Sequence, residues 1–267
     1  MRGRVLIVAG SDSGGGAGIQ ADVKTVTALG GYAATAITAL TAQNTHGVFG
    51  VHEVPPAFVV QQAELVADDL GADAWKTGML HSREVIEAVA DVYERKGRGT
   101  PLVADPVMVA KGGAPLLQPS AREALAMRLL PLATVCTPNA REAEALTGVS
   151  IYDLAGMREA ADLLLARGPK AVLVKGGHLP GDTVVDLLRT AGGEERLFTG
   201  PRVETTSTHG TGCTLASAIA VGLAQDLALA DAIDRALRYV AEAIRRAPGY
   251  GGGHGPLDHG HTVKAFR

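Results

Sequence analysis

The sequence is poor in cysteine, aromatic residues and basic clusters, and it lacks long apolar runs. Its two cysteines, Cys136 and Cys213, are too few for a disulfide framework or a four-cysteine zinc site. Since no run of about 18 apolar residues occurs, we expect no transmembrane helix and no membrane partner. The absence of a basic block and the net charge of −3 argue against nucleic acid as a partner. The start of the chain shows no signal-peptide pattern, so we expect a cytoplasmic protein.

The composition that is present fits one globular domain. The 267 residues include 46% hydrophobic residues, 4% aromatic residues and 34 glycines. These proportions predict an aliphatic, alanine-rich core with many tight turns. Because no linker, repeat or low-complexity segment divides the chain, we expect residues 1–267 to form a single domain.

Short apolar segments alternate along the chain with longer segments of helical periodicity. This alternation predicts an α/β fold with a central, mostly parallel sheet flanked by helices, and a late hairpin adds a small antiparallel edge. The predicted strands are Val5–Ala9, Ala33–Ala42, Gly50–Val54, Ala74–Lys76, Leu102–Ala104, Thr134–Thr137, Ala171–Lys175, Val184–Leu188 and Arg196–Thr199. The predicted helices are Ala17–Leu29, Pro56–Leu70, the helix from the Ser82 cap to Lys96, Ser120–Leu130, Ala140–Thr147, Asp153–Arg167, Thr211–Ala224 and Leu229–Ala247.

Polar residues and glycines follow nearly every predicted strand. In open α/β sheets, ligands bind beyond the carboxyl ends of the strands, where these residues would meet. Chance explains a few such positions but not so many, and we therefore expect a ligand cleft at this edge. The segments are Gly10–Gly18, Gln43-Asn44, Gly78-Met79, Asp105–Met108, Thr137–Asn139, Lys175–His178 and Thr208–Cys213.

Gly210-Thr211-Gly212 leads directly into a predicted helix of small apolar residues. Glycines let backbone N–H groups turn toward a ligand, and a helix N-terminus carries partial positive charge. These features predict an anion hole suited to phosphate. An ordinary glycine turn before a buried helix explains the same residues equally well when they are considered alone.

Two acidic residues and one lysine stand at other strand ends. Glu142 follows Asn139 at a helix start, where a carboxylate can hold Mg²⁺ through water molecules. A helix cap with an acid in its first turn is the commoner explanation of this pair. Asp105 ends a strand before a proline, a position suited to Mg²⁺ or phosphate chemistry. Lys175 ends another strand and either contacts a phosphate or is a solvated surface residue.

Three further patterns do not predict a function. Gly16-x-Gly18-x-x-Ala21 matches a dinucleotide-binding fingerprint, but no acidic residue follows the second strand to bind a ribose, which argues against a dinucleotide-dependent oxidoreductase. The run Asp12–Gly15 echoes a serine protease motif that belongs to an all-β fold. His254, His259 and His261 lack companion ligands, so we expect a polar tail rather than a metal site.

A set of short motifs runs in order through essentially the whole chain. The motifs are Ala9–Asp12, Gly15–Asp22, Thr38–Thr45, Lys76–Leu80, Asp105–Met108, Thr137–Asn139, Glu142-Ala143, Lys175–His178, His209–Leu215 and Gly253–Leu257. Together they resemble the hydroxymethylpyrimidine/phosphomethylpyrimidine kinases of thiamine biosynthesis, and the set is specific although each piece alone is weak. The resemblance implies a ribokinase-like fold in which ATP and a pyrimidine meet at the carboxyl edge of the sheet.

The resemblance implies two ATP-dependent steps. First, 4-amino-5-hydroxymethyl-2-methylpyrimidine is phosphorylated on its hydroxymethyl group, and the monophosphate is then converted into the diphosphate. The amide of Gln43 would match the amino group and neighbouring ring nitrogen of the pyrimidine, and Met79 would supply a polarisable wall. The residues implied to line the pyrimidine pocket are Gly10, Asp22, Gln43, Met79 and Val107.

The resemblance also implies how Mg²⁺ and ATP bind as co-substrate. The backbone N–H groups between Gly210 and Cys213, Gly212 among them, would stabilise charge on the transferred phosphoryl group, and Lys175 would contact phosphate. Relatives of this kind form dimers, so a homodimer is expected. The implied ATP-binding residues are Asn139, Lys175 and Thr211, and the implied metal ligands are Glu142 and Asp105.

Cys213 stands where the wider ribokinase superfamily commonly carries an aspartate that takes the proton of the attacking hydroxyl. A thiol at a helix N-terminus can have a lowered pKa, and we expect Cys213 to serve as the base. The alternative is that Cys213 packs against the ring, because the loose transition state needs little help from a base.

Two other functions are compatible with the same motifs. Pyridoxal kinases share the implied fold and chemistry but act on a different ring, so the rates with the two ring substrates would separate them. A non-catalytic pyrimidine-binding protein is the other possibility. It does not explain why Asp105, Glu142, Lys175 and an anion hole occur together.

Overall fold

The computed structural model describes residues 1–110, 112–118, 120–177 and 179–264. Within these residues the chain forms one nine-stranded sheet with helices on both faces. The strands are β1 (Arg4–Asp12), β2 (Tyr32–Asn44), β3 (Gly47–Glu53), β4 (Ala74–Thr77), β5 (Leu102–Ala104), β6 (Val135–Cys136), β7 (Ala171–Val174), β8 (Thr183–Thr190) and β9 (Glu195–Pro201). The helices are α1 (Gly18–Ala28), α2 (Pro56–Asp69), α3 (Arg83–Lys96), α4 (Ala121–Ala124), α5 (Ala140–Thr147), α6 (Leu154–Leu165), α7 (Thr211–Ala224) and α8 (Leu229–Arg245). None of the helices in this described part of the chain has the length and hydrophobicity of a membrane span.

The strand order across the sheet is β3-β2-β1-β4-β5-β6-β7-β8-β9. Every pairing from β2 to β7 is parallel. By contrast, β3, β8 and β9 pair with their neighbours in the antiparallel sense. The predicted α/β fold, with its mostly parallel sheet and late hairpin, is therefore confirmed. The second antiparallel edge, formed by β3, is not evident from the sequence because an apolar pattern does not encode strand direction.

Strand β1 separates two hydrophobic cores. Val5, Ile7 and Ala9 face the core that contains α1, α7 and α8, whereas Leu6 and Val8 face the core that contains α2–α6. All five side chains are buried. Because a strand covered on both faces has no polar face, it is apolar throughout, which is the pattern that predicts it.

The predicted helix Ser120–Leu130 differs most from the structure. Helix α4 ends at Ala124 and is followed by a π-helical turn over Leu125–Leu129 and a 3₁₀ turn over Leu130–Leu132. Pro131 has no N–H group to continue the helical ladder, so a regular helix cannot extend through this segment. The predicted bounds of β5, α5 and α7 match the structure.

A buried ion pair joins the sheet to two helices. Lys76 of β4 and Asp22 of α1 are fully buried, and Lys76 Nζ lies 2.9 Å and 2.8 Å from the two carboxylate oxygens. Ser217 of α7 donates a hydrogen bond to the same carboxylate at 2.7 Å. This cluster therefore fixes β4, α1 and α7 relative to one another.

Removing one member of the pair should be costly, because the other charge is left buried and unpaired. We expect Lys76→Met to lower the free energy of unfolding by about 3–5 kcal/mol. The double variant Lys76→Met/Asp22→Leu removes both charges and should recover most of that loss. Urea unfolding at pH 7 measures both variants. A double variant no more stable than Lys76→Met would contradict this account.

Candidate active site

A cavity of about 490 Å³ opens at the carboxyl ends of the parallel strands. Its walls come from the ends of β1, β4, β5, β6 and β7 and from the first turn of α7. This is the edge at which the sequence predicts a cleft. With the exception of Asp22, the site residues predicted from the sequence all line it: Gly10, Gln43, Met79, Asp105, Val107, Asn139, Glu142, Lys175, Gly210, Thr211, Gly212 and Cys213.

Asp22 lies beneath the cavity rather than in its wall. Its side chain is fully buried and accepts hydrogen bonds from Lys76 and Ser217. Burial raises the pKa of Asp22, although the attraction of Lys76 opposes this shift. The resemblance implies a direct contact between Asp22 and the pyrimidine. In the structure the carboxylate oxygens of Asp22 are already paired, and Asp22 has a structural contact with Lys76 instead.

The start of α7 has the backbone geometry that the predicted anion hole requires. Gly210 caps the helix with a φ of 83°, and a Cβ at this position would overlap the carbonyl oxygen of Gly16. The first N–H to find an intrahelical acceptor is that of Thr214, which donates to Gly210 O at 2.9 Å. The preceding N–H groups of the helix are therefore available to an anion. The glycine turn and the anion hole are thus the same structure.

Lys175 and Asp105 lie beside the anion hole. Lys175 Nζ is 3.2 Å from Asp105 Oδ1, which also accepts a hydrogen bond from Thr137 at 3.1 Å. A Cβ on Gly212 would lie 3.2 Å from Lys175 Nζ. Burial opposes the charge on Lys175, but the attraction of Asp105 and Glu142 outweighs it and raises the pKa of Lys175. Lys175 is therefore a buried cation at the cavity wall rather than a solvated surface residue.

Asn139 and Glu142 form a reciprocal helix cap at the start of α5. Asn139 Oδ1 accepts from Glu142 N at 3.0 Å, and Glu142 Oε2 accepts from Asn139 N at 2.8 Å. The cap interpretation of this pair is therefore confirmed. Burial raises the pKa of Glu142 to about 7, with Lys175 opposing and Asp105 adding to the shift. The carboxylate still lines the cavity, so the cap does not prevent a second role.

The acidic residues of the cavity fit a hydrated magnesium ion but not a metal held by protein ligands alone. No group of three or more His, Cys, Asp or Glu residues suited to a metal occurs among the described residues. Asp105 and Glu142 supply oxygen donors, and each is already partly engaged by Lys175 or by a backbone N–H. Mg²⁺ keeps several of its waters and is commonly bound through one or two carboxylates and substrate phosphates. The donors therefore suit a Mg²⁺ ion that arrives with ATP.

Cys213 lies in the first turn of α7 and lines the cavity. Burial raises the pKa of the Cys213 thiol to about 12, although Lys76 and the Gly18 N–H favour the thiolate. The lowered pKa expected from its place at a helix N-terminus is therefore not found, because the loss of solvation outweighs the helix and the lysine. The thiol is protonated at neutral pH.

A carboxylate and a histidine that the sequence does not single out organise the loop after β1. Asp12 accepts hydrogen bonds from the N–H groups of Gly14, Gly16 and Ala17 at 2.8–3.0 Å. His209 Nε2 lies 2.9 Å from Asp12 Oδ2. Burial opposes ionisation of Asp12, but these hydrogen bonds lower its pKa overall. The signal in the sequence is Asp12 at a strand end, followed after Ser13 by three glycines. The resemblance of this run to a serine-protease motif leads away from that interpretation.

Gln43 and Met79 lie at the end of the cavity nearest β2. Gln43 Nε2 is 3.2 Å from His209 Nε2, and Gln43 Oε1 is 3.1 Å from Thr41 Oγ1. A Cβ on Gly10 would lie 3.0 Å from Met79 Sδ, so the absence of a side chain there keeps space open beside the thioether. These residues leave a slot that has a polar end and an apolar wall.

Cationic side chains line the cavity to an extent that the sequence does not reveal. In addition to Lys175, the cavity is lined by Lys76, Arg122 and Arg141. Their surroundings in the sequence resemble those of ordinary core or surface residues. Asp22 pairs with Lys76 and Asp105 pairs with Lys175, so the positive charge left for a ligand comes from Arg122, Arg141 and the N-terminus of α7, which suits phosphate groups.

The histidines expected to form a polar tail are part of the structure around the site. His254 lines the cavity, and its Nδ1 is buried without a hydrogen-bond partner among the described residues. His259 is buried, and its Nε2 lies 3.0 Å from Thr214 Oγ1 of α7. The expected polar tail is therefore packed at His259, which contacts the start of α7.

One solved structure and one related sequence are similar to this chain over nearly their whole length. The pyridoxal kinase from Staphylococcus aureus, solved in complex with AMP-PCP and pyridoxal, superposes with a TM-score of 0.89 and 34% identity, covering 99% of this chain and 96% of that chain. The hydroxymethylpyrimidine/phosphomethylpyrimidine kinase from Streptomyces coelicolor is 52% identical over 97% of this chain and 95% of that protein. The chain is thus similar over nearly its whole length to two vitamin kinases.

A larger relative and a family model also match this chain. The thiamine biosynthesis bifunctional protein from Geobacter sulfurreducens is 55% identical over 97% of this chain. Because the match covers 52% of that protein, the chain spans about half the length of that relative. The model of the family described as phosphomethylpyrimidine kinase matches residues 12–258. This chain belongs to the phosphomethylpyrimidine kinase family.

Proposed function

We propose that this chain transfers the γ-phosphoryl group of ATP to the hydroxymethyl group of 4-amino-5-hydroxymethyl-2-methylpyrimidine and then to the resulting monophosphate. The observation that carries this proposal is a single cavity with an anion hole and Lys175 at one end and the Gln43–Met79 slot at the other. A phosphoryl donor and a flat, polar-edged acceptor can therefore meet there. Family membership and the names of the relatives support the thiamine-pathway substrates.

The pyrimidine is recognised by the slot between β1, β2 and β4. Gln43 offers one acceptor and two donors to the amino-pyrimidine edge, and Met79 forms a polarisable wall for the ring. Gly10 leaves space beside Met79 that a side chain would take. Val107, after β5, closes the slot from the opposite side of β4.

ATP is held at the opposite end, with Mg²⁺ as part of the co-substrate. Asn139 and Thr211 contact the nucleotide, and Lys175 contacts its phosphates as a buried cation. Glu142 and Asp105 bind the hydrated ion that neutralises the phosphates. Complexes of the Staphylococcus aureus pyridoxal kinase with AMP-PCP support ATP as the donor.

The residues stabilise the transferring phosphoryl group more than they activate the nucleophile. The hydroxyl oxygen of the pyrimidine forms a bond to the γ-phosphorus, the bond to the ADP oxygen breaks, and the hydroxyl proton passes to an oxygen of the transferred phosphoryl group. Charge on the equatorial oxygens is stabilised by the N–H groups at Gly210, Thr211 and Gly212 and by Lys175. Since the Cys213 thiol is protonated, we assign Cys213 a packing role beside the hydroxymethyl group. The loose transition state needs little help from a base.

Pyridoxal phosphorylation is the second candidate function. The superposition on the Staphylococcus aureus pyridoxal kinase at a TM-score of 0.89 favours it, because the two chains share one fold over nearly their whole length.

We also propose that the chain acts as a cytoplasmic homodimer. The composition supports the location, and the family resemblance supports the dimer.

The proposed function is tested by a product assay. Purified protein is incubated with Mg²⁺–ATP and hydroxymethylpyrimidine, and the mono- and diphosphate are resolved by anion-exchange chromatography. We expect the monophosphate first and the diphosphate afterwards. If neither forms, the proposal fails, and if the monophosphate accumulates without diphosphate, the chain performs the first step alone.

Gln43→Leu should weaken pyrimidine binding, because the polar edge of the ring loses its partners. We expect a loss of about 1–3 kcal/mol, seen as a higher KM for the pyrimidine with little change in the KM for ATP. Gln61→Leu, at an exposed position of α2, is the matched control. A normal pyrimidine KM in Gln43→Leu would refute the assignment.

Glu142→Gln should impair Mg²⁺–ATP binding while the fold is retained. The amide oxygen of the glutamine can still accept from the N–H of Asn139, so the cap survives, but the negative charge toward the ion is lost. We expect kcat/KM for Mg²⁺–ATP to fall at least tenfold, about 1.4 kcal/mol. Glu144→Gln is the control, since Glu144 lies on the same helix and accepts from Ile151 N at 2.8 Å. Equal Mg²⁺ titration curves for the two variants would contradict the role of Glu142.

Cys213→Ser should reduce both phosphorylation steps modestly and to the same extent, because the anion hole is unchanged and a protonated thiol is not the base. Single-turnover rates of each step between pH 6 and 9 measure this. General-base catalysis is typically worth about 10²–10⁴-fold. A loss of that size confined to the first step would restore Cys213 as the base.

The acidity of the thiol can be measured separately with iodoacetamide. With a pKa of about 12, the rate of Cys213 alkylation should rise about tenfold per pH unit through pH 9 without a plateau, because only the thiolate reacts. Cys213→Ser serves as the blank for the buried Cys136. A plateau near neutral pH would show a thiolate and contradict the packing role.

A further inference from the structure

The segment after α8 forms hydrogen bonds on both sides of Gly210, at the start of α7. His209 N donates to Gly255 O at 3.1 Å, which ties the residue before Gly210 to this segment. After Gly210, Thr214 Oγ1 lies 3.0 Å from Nε2 of His259. The sequence predicts a polar tail here, and the proposed function gives His259 no role.

The segment is itself held firmly against α8. Tyr239 Oη donates to the carbonyl oxygen of His259 at 2.6 Å, and Asp258 N donates to Ala243 O at 3.1 Å. His259 is buried, and burial lowers the pKa of its imidazole to about 4. At neutral pH the ring is therefore uncharged and carries one N–H.

The hydrogen bonds around Thr214 determine which ring nitrogen carries that proton. The Thr214 hydroxyl has two possible acceptors for its single proton, Gly210 O at 2.8 Å and His259 Nε2 at 3.0 Å. With the proton on the nearer acceptor, Gly210 O, the Thr214 oxygen accepts from His259 and Nε2 carries the N–H, which is the arrangement that the NMR test below measures. A chain of two hydrogen bonds runs from His259 through Thr214 to the carbonyl of Gly210.

That carbonyl belongs to the peptide unit whose N–H is the first of α7. Gly210 O also accepts from Thr214 N at 2.9 Å, so it receives two hydrogen bonds. Hydrogen bonds in a chain polarise one another, and donation to a peptide oxygen makes the N–H of the same peptide a stronger donor. The Thr211 N–H is thus oriented and polarised toward the cavity.

We propose that His259 is a positioning residue for phosphoryl transfer, which holds the Gly210–Thr211 peptide through the Thr214 hydroxyl so that the Thr211 N–H faces the transferred phosphoryl group. The inference rests on the proposed function for its catalytic consequence. His259 does not touch the substrate. It acts on the transition state through the anion hole, so its loss affects kcat rather than substrate binding.

The first test compares His259→Leu, which cannot donate, with His259→Gln, whose amide N–H can replace Nε2. We expect kcat of both phosphorylation steps to fall about five- to tenfold in His259→Leu, the rate equivalent of about one neutral hydrogen bond. The KM for pyrimidine should stay within about twofold, and His259→Gln should regain most of the loss. His261→Leu removes a ring that packs on Tyr239 and lies 2.9 Å from Asp258 O but leaves the His259–Thr214 contact in place, so it controls for loosening of the segment. Equal kcat values for His259→Leu and His261→Leu would overturn the proposal.

The second test uses Thr214. Thr214→Val removes the relay and should lower kcat, whereas Thr214→Ser keeps the hydroxyl and should not. The double variant His259→Leu/Thr214→Val should be no slower than Thr214→Val alone, because both changes break one chain. Multiplicative losses would overturn the proposal. If His259→Leu does not fold, the comparison of Thr214→Val with Thr214→Ser decides, and wild-type kcat in Thr214→Val contradicts it.

The third test requires no turnover and so separates this inference from the proposed function. Nitrogen-15 NMR of the imidazole should show His259 protonated at Nε2, and the Thr211 amide resonance should shift in His259→Leu but not in His261→Leu. A ring protonated at Nδ1, or an unmoved Thr211 resonance, would refute the relay even if the wild-type protein phosphorylates the pyrimidine.

Discussion

The close contact between Gly210 and Gly16 is the constraint on which the site depends. The first turn of α7 meets the loop after β1 so closely that a Cβ on Gly210 would overlap the Gly16 carbonyl. Three interactions hold this contact from different sides: the hydrogen bond between Asp12 and His209, the Lys76–Asp22 pair, and the His259–Thr214 chain. The free N–H groups of α7 consequently face the same space as the ends of β5 and β7.

Charge in the site is arranged in two layers, and this explains why the cavity suits a polyphosphate. The lower layer, Lys76 and Asp22, is fully buried and internally neutral, so it supports the floor without attracting a ligand. In the upper layer, Lys175 Nζ lies 3.2 Å from Asp105 Oδ1 at the cavity wall, a longer distance than in the Lys76–Asp22 pair. Lys175 can therefore also contact a phosphate, and Asp105 can also contact Mg²⁺. Burial opposes charge in both pairs, and the partner in each pair offsets it; burial raises the pKa of Cys213 because a lone thiolate there has no dedicated partner.

Local backbone requirements are what the sequence predicts well. Gly210, the Asn139–Glu142 cap and the strand ends follow from conformational rules that act over a few residues, and their places in the structure agree with them. Asp22 and His259 are misjudged because their partners, Lys76 and Thr214, lie 54 and 45 residues away along the chain. An acid that is paired and buried has the same local sequence as an acid that faces a ligand. The acidity of Cys213 likewise depends on how deeply packing buries it, which no local pattern contains.

The central claim is that this cavity selects a pyrimidine alcohol for phosphoryl transfer. Competition between the two ring substrates in one reaction tests this claim most directly. Hydroxymethylpyrimidine and pyridoxal are supplied at equal concentration with limiting Mg²⁺–ATP, and both phosphorylated products are quantified in the same reaction. The ratio of products gives the ratio of kcat/KM values without separate kinetics. The account predicts that phosphorylated pyrimidine predominates by at least tenfold, about 1.4 kcal/mol of transition-state preference. Predominance of pyridoxal phosphate would contradict it.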